Sequence, residues 1–289
     1  MSAAEPDELQ LLARRRWPLG RHPGGLGWEL TGQLPSVVDV WRRPDGSVSG
    51  WAGIDGPGEL TVEADDDVAA EALRRAVESA AGDVLELHVP DGDDALRAAA
   101  AGSGFQRAEA WTGMWRAASV DDRPGVVAGC VVRAVGDHER HARIDVHRRA
   151  WRPADLPWHP DRRPATPEDA ESSFDESALA RTEATWLYDR DLDLVVESPQ
   201  GELVGCCTVW LDPALGVAEI EPLGVVPAYR RLGLAGALCR EASARVAERG
   251  GHEVFINAGP RLAYPASAAA YAKAGYQTRT RGAVWRLHR

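Results

Sequence analysis

Hydrophobic and polar positions alternate in short runs along much of this chain, and Gly, Pro and Asp punctuate the runs. In the second half the pattern predicts strands at Val131–Val135, Leu192–Glu197, Leu203–Leu211, Val217–Val226 and Val254–Ile256. Ser-Pro-Gln-Gly between the second and third of these is a hairpin signal. Helical spacing covers Asp137–Trp151, with Asp137 as N-cap. A polar, Pro-rich stretch (Pro153–Pro167) follows, then a helical region to about Trp186. Leu234, Leu238, Ala242 and Val246 make one stripe on a helix over Leu234–Arg249, stopped by Gly250-Gly251. Ser267–Ala274 reads as a helix stopped by Gly275, and Tyr276–Leu287 as a terminal strand or hairpin.

The first half repeats this plan in weaker form. Val37–Trp41 and Val48–Ile54 flank the turn Pro44-Asp45-Gly46. Glu59–Glu63 is a strand, Val68–Ala81 a helix, Val84–Val89 a strand, and Asp94–Ala101 a helix stopped by Gly102. The tail from Phe105 answers the tail from Tyr276 at similar spacing. An internal duplication follows, with domains 1–121 and 130–289 and a boundary near Asp121–Gly129.

Composition narrows the class. A formal charge of −11 disfavours nucleic acid as a partner and suits a cationic one. Cys130, Cys206, Cys207 and Cys239 form no CxxC pair, the pattern of a reduced, intracellular protein. The acidic, polar N-terminus is no signal peptide, and the longest apolar run (Val126–Val132) falls far short of a membrane span. The expectation is a cytoplasmic protein without membrane contact.

Chemistry concentrates in Glu219–Leu238, EIEPLGVVPAYRRLGLAGAL. An apolar strand runs into Val-Pro, and a turn carrying Arg230-x-x-Gly233-x-Ala235 opens a helix. The first amides of a helix lack intrahelical partners and sit at the positive end of its dipole, so such a start can bind phosphate. Gly233, Ala235 and Gly236 leave room, and Arg230 and Arg231 add positive charge. The spacing is neither a P-loop nor a dinucleotide GxGxxG. It resembles the acetyl-coenzyme A pyrophosphate loop of the GNAT superfamily of N-acetyltransferases, and β-α-α-β-β-β-α-β-α-β is the element order of that fold. The resemblance implies an α/β (α+β) protein of two tandem GNAT folds, each a mixed, mostly antiparallel twisted sheet flanked by helices. The first copy has Asp65-Asp66-Asp67 where the second has its loop, so it is a degenerate copy without a phosphate site.

Acyl transfer to an amine requires a proton acceptor for the ammonium, donors for the developing oxyanion and an acid for the departing thiolate. Glu219 and Glu221, two apart on one strand, share a face. The resemblance puts the general base at Glu219, with Glu221 as the other candidate; both also read as ordinary strand carboxylates. Pro222 and Gly224 inside a strand predict a bulge, or a shorter strand capped by Pro222. The resemblance implies coenzyme contacts along Leu223, Gly224, Val225 and Val226, whose amides would serve the oxyanion, and through Arg230, Arg231, Leu232, Gly233, Leu234, Ala235 and Gly236. Tyr271, four residues before Gly275, resembles the family's thiolate-protonating tyrosine; otherwise it is a core residue. Asn257 would bond the pantetheine amide or simply occupy a turn. The family's usual Asn ahead of the tyrosine is replaced by Tyr264.

Other candidates offer less. His138 and His141 lack a third ligand at metal spacing, and no metal is expected. Cys206 and Cys207 read as buried strand residues rather than nucleophiles. Trp186, Tyr188 and Trp210 fall where an acceptor would be lined. The sequence therefore points to an N-acetyltransferase using acetyl-CoA as co-substrate on a primary amine, of a small molecule, in a ternary complex. A non-catalytic acyl-CoA sensor and a protein amine acetyltransferase are the alternatives, and the sequence leaves the oligomeric state open.

Overall fold

The computed structural model describes residues 6–32, 35–159, 171–258 and 265–289. They form two compact units, Met1–Thr112 with Arg279–Arg289, and Gly113–Thr278.

The first unit opens with two helices that the sequence reading passes over. Helix α1 (Pro6–Arg16) starts on Asp7 and Glu8 and ends on Arg14–Arg16, charges that complement its dipole, and buries Leu9, Leu12 and Ala13. Helix α2 (Pro23–Thr31) starts on a proline, and His22 Nδ1 accepts the Gly24 amide at 3.1 Å. Strands β1 (Ser36–Arg42), β2 (Val48–Gly56) and β3 (Glu59–Ala64) make an antiparallel meander. Helix α3 (Ala69–Ser79) then crosses to β4 (Val84–Pro90), parallel to β3, and α4 (Asp94–Gly102) follows, capped by Asp93. Leu60, Val62, Leu85 and Leu87 pack with Ala72, Leu73 and Ala76 of α3, while Trp51 packs with Leu9, Leu12 and Leu26.

Strand β5 (Gln106–Ala117) leads into the second unit. There β6 (Val131–Ala134), β7 (Asp193–Glu197), β8 (Leu203–Asp212) and β9 (Val217–Val225) pair antiparallel in sequence order. Helix α7 (Leu234–Glu248) crosses from β9 to β10 (Glu253–Ile256), which runs parallel to β9 and antiparallel to the end of β5. Helices α5 (Arg140–Ala150) and α6 (Glu176–Glu183) lie between β6 and β7 in the chain, and α8 (Pro265–Lys273) follows β10. Leu234, Leu238, Ala242 and Val246 all enter the core, as their stripe predicts.

Two boundaries differ from expectation. Asp137 does not cap α5, which begins at Arg140; Asp137 pairs with Arg190, while the Glu139 carboxylate takes the Gly136 amide at 2.6 Å. The helix before Trp186 ends at Glu183.

The last strand, β11 (Gln277–His288), belongs from Arg279 onward to the first unit. It pairs antiparallel with β4 from Gly282↔Pro90 to His288↔Val84. A Cβ at Gly282 would lie 2.1 Å from the Val89 carbonyl, so only glycine fits where the two strands meet. The first unit is therefore discontinuous in sequence, closed by Arg279–Arg289, while the second is the single stretch Gly113–Thr278; the expected division at 121 and 130 leaves β11 wholly with the second half. Both have mixed, mostly antiparallel sheets, and eight α-helices are present among the described residues.

Candidate active site

The pairing of β9 with β10 stops early. Register runs from Val217↔Glu253 to Glu219↔Phe255, yet β9 continues to Val225. Beyond Glu219 the two strands part, and β9 has no β10 residue opposite it. Glu219 stands at this fork, 2% exposed, opposite Trp210 of β8 and Phe255 of β10. Its Oε1 accepts a hydrogen bond from Asn257 Nδ2 at 2.8 Å. Glu221 is half-buried, and its backbone carbonyl takes the Trp210 indole N–H at 2.6 Å.

The bulge that Pro222 and Gly224 predict is present. Cys207 pairs with Leu223 and Val209 with Ile220, so Glu221 and Pro222 together face the single residue Thr208. Pro222 thus sits where no ladder donor is needed, and the strand goes on past it to Val225 rather than ending there. Gly224 has a separate cause. A Cβ on it would stand 2.8 Å from Trp151 Nε1 and 2.9 Å from Ala150 Cβ, so the end of α5 seats directly on the strand.

A short 3-10 turn (Pro227–Tyr229) carries the chain to α7. Gly233, at φ +88°, is the N-cap, and no side chain caps the helix. The left-handed backbone favours glycine at 233, where a side chain would add about 1–3 kcal/mol of strain. Arg231 is also left-handed, at φ 66°, and exposed. A Cβ at Gly233 would meet only Val127 Cγ1, at 3.6 Å, so the approach to the helix start is open. Leu234 anchors the turn in the core, Ala235 and Gly236 are half-buried, and Leu232 is exposed.

Arg230 is committed elsewhere. Its guanidinium donates to the carbonyls of Val225 at 3.0 Å, Ala150 at 3.1 Å, and Asp155. It ties the end of β9 to the C-terminus of α5 and to the turn at Pro153–Asp155, where the helix dipole favours a cation. Of the two arginines expected to add charge at the helix start, Arg231 is the exposed one.

Tyr271 lies on α8, 7% exposed, with its ring 6.3 Å from that of Tyr276. The carbonyl of Tyr271 accepts the amides of Ala274 and Tyr276, both at 3.0 Å, which ends the helix at Gly275 with φ +87°. Cys206 and Cys207 are wholly buried, and burial raises both thiols above their usual range, which leaves them without thiolate character. Trp210 is buried beneath Glu219, and Tyr188 lies 6.3 Å from it, ring to ring. The Tyr188 hydroxyl donates to Asp193 at 3.2 Å, and burial followed by Asp193 pushes that phenol up. Trp186 is exposed. Tyr264 lies outside the described residues. Among the described residues, no group of three or more His, Cys, Asp or Glu is placed to hold a metal ion, and no helix is long and apolar enough to cross a membrane.

Sequence reading misses two features here: the Asn257–Glu219 bond and the carbonyls that hold Arg230. The first joins residues far apart in the chain. The second uses backbone acceptors, which leave no mark on side-chain identity. It also misses His147, buried between Phe174, 4.1 Å away, and Trp151, 6.3 Å away. Burial, then the charge of Arg143, lowers its pKa to about 3.

Residues 147–276 match the model of the acetyltransferase (GNAT) family. This segment is a GNAT acetyltransferase domain, and the chain that carries it is an enzyme of the acyltransferase class. No curated protein matches the chain. Among solved structures, the GCN5-related N-acetyltransferase from Sphaerobacter thermophilus superposes with TM-score 0.54 at 18% identity, over 99% of this chain and 94% of the other. A tandem GNAT protein of the clavulanic acid biosynthesis pathway gives 0.52 at 16%, over 98% and 94%. FemX gives 0.54 at 11%, over 100% and 97%. At these identities the structures support the fold and nothing finer.

Proposed function

We propose that the second unit moves an acetyl group from acetyl-CoA to the primary amine of a small molecule, with both substrates bound together. The observation that carries this reading is the fork of β9 and β10, which places a buried carboxylate, a bulged strand edge and an uncapped helix start on one continuous stretch, Glu219–Gly236. The amides of Leu234, Ala235 and Gly236, with Arg231, would hold the pyrophosphate, and Leu232 and Gly233 shape the turn that presents them. Along the strand edge, Leu223 and the amides of Gly224, Val225 and Val226 would hold the acyl arm and the developing oxyanion. Glu219 takes a proton from the ammonium, directly or through water, with Glu221 as the second carboxylate in reach of the same cleft. The amine nitrogen then forms its bond to the acyl carbon as the carbon–sulfur bond breaks. Tyr271 gives its proton to the leaving thiolate and recovers one from solvent.

The first unit, by its plan a degenerate copy of the second, has no counterpart to this loop. Calorimetric titration of acetyl-CoA into the wild type and Gly233→Glu tests the reading. One bound equivalent in the wild type, lost in the variant, is expected. Equal binding in both would remove the loop from the site. A thiol-release screen over small amines, beside one over peptide amines, then reads the acceptor class.

A further inference from the structure

Asn257 stands two residues beyond Phe255, the last β10 residue paired with β9, and its side chain reaches back across the fork to Glu219. On an extended strand, residues two apart share a face, and a cross-strand diagonal lies within side-chain reach. Phe255, Glu219 and Asn257 thus share one face where the backbone ladder ends, and a side-chain bond takes the ladder's place. The pair is asymmetric, since Glu219 is buried and Asn257 is exposed at the mouth. An amide donating to a buried carboxylate makes a charge-assisted hydrogen bond and helps to fix the plane of that carboxylate.

We infer that Asn257 is a positioning residue for the proton acceptor: its Nδ2 holds Glu219 Oε1, so that the carboxylate meets the amine in one orientation. This rests on the reading of Glu219 as the acceptor of the ammonium proton. It gives Asn257 a different part from a contact to the coenzyme's pantetheine arm, and the two parts have separable consequences.

The test is a double-mutant cycle on the full chain with Glu219→Gln, Asn257→Ala and the pair, reading kcat and the acetyl-CoA Kd. If Asn257 acts through Glu219, Asn257→Ala lowers kcat about tenfold or more and leaves the coenzyme Kd within about twofold. The double variant is then no slower than Glu219→Gln alone. Asn257→Asp, of the same shape but with a carboxylate facing Glu219, should be at least as slow as Asn257→Ala, which separates a lost donor from a misfolded strand. A coenzyme Kd raised about tenfold in Asn257→Ala, or losses that multiply in the double variant, would overturn the inference and return Asn257 to the coenzyme. Full activity in Glu219→Gln would instead sink the reading of Glu219 itself, whatever Asn257 does.

Discussion

Between β3 and α3 the chain passes through Asp65, Asp66 and Asp67; between β9 and α7 it passes from Pro227 to Gly233. Both stretches join a strand to the helix that crosses to a parallel neighbour. In the first unit the Asp65 carbonyl takes the amides of Val68 at 2.9 Å and Ala69 at 3.0 Å, and its carboxylate is held by Arg43. The helix start is closed by its own chain and surrounded by negative charge. Neither α3 nor α7 has a side-chain cap, but in the second unit a left-handed glycine opens the helix with no carboxylate beside it. The buried carboxylates make a parallel contrast. Trp51 faces Glu63 across β2 and β3, as Trp210 faces Glu219 across β8 and β9. Glu63 Oε1 takes the Arg21 amide at 2.8 Å, and a Cβ on Gly20 would lie 3.1 Å from its Oε2. A buried glutamate opposite a tryptophan therefore does not by itself mark a site. What differs at Glu219 is that the pairing of its strand with β10 stops beside it.

Swapping each glutamate for its amide should break the symmetry most sharply. Glu219→Gln is expected to lower kcat about 10²–10⁴-fold, while Glu63→Gln leaves kcat and coenzyme affinity unchanged. Steady-state rates on both variants check this, and a comparable loss from Glu63→Gln would mean the first unit takes part in the chemistry. Next in size is Arg230→Ala, which removes the donor shared by the carbonyls of Val225, Ala150 and Asp155 and should destabilise the protein by about 1–3 kcal/mol. Arg74→Ala, which breaks exposed pairs to Glu71 and Glu78 on α3, should leave the urea midpoint where it was.

The smallest effects are in pH dependence, and they have opposite signs in the two units. Burial, then the charge of Arg143, depresses His147, so the unfolded chain binds a proton that the folded one refuses. Its contribution is present above pH 6.5 and is lost as pH falls toward about 3. His147→Phe should flatten that acid-side decline. Burial raises Glu63, with Arg21 opposing, so its contribution is present below pH 4.5 and is lost as pH rises through the folded value. Glu63→Gln should remove that loss and raise the melting temperature above this window. Melting curves across pH for each variant beside the wild type read both slopes, and slopes unchanged by the substitutions would show that other groups set them.

Much of the second unit is legible in the sequence because its strands are dense in β-branched residues and its turns carry Gly or Pro. Pro222 and Gly224 signal a bulge because neither suits an ordinary ladder position. Gly224 also has a cause visible only in three dimensions, the indole of Trp151 against its Cα. Helix α1 does carry a signal, Leu9, Leu12 and Ala13 at helical spacing, hidden by its charged flanks. Helix α2 carries almost none: its nine residues include three glycines, and it owes its place to a cap and to burial. The spacing within Glu219–Gly236 is local, so it can be read. Asn257 on Glu219 is a tertiary contact, and no local pattern announces it. An alternating strand such as β11, likewise, says that it will pair but not with which edge.

That last strand sets the order in which the protein can be finished. During synthesis β4 is made before the second unit and its partner β11 after it, so this edge of the first unit stays unpaired until the whole second unit has been made. A fragment cut at the apparent linker would inherit β11 without β4 and lose the end of β5 that pairs with β10. The first unit therefore cannot be excised as one continuous piece of chain, whereas the second, Gly113–Thr278, is a single stretch.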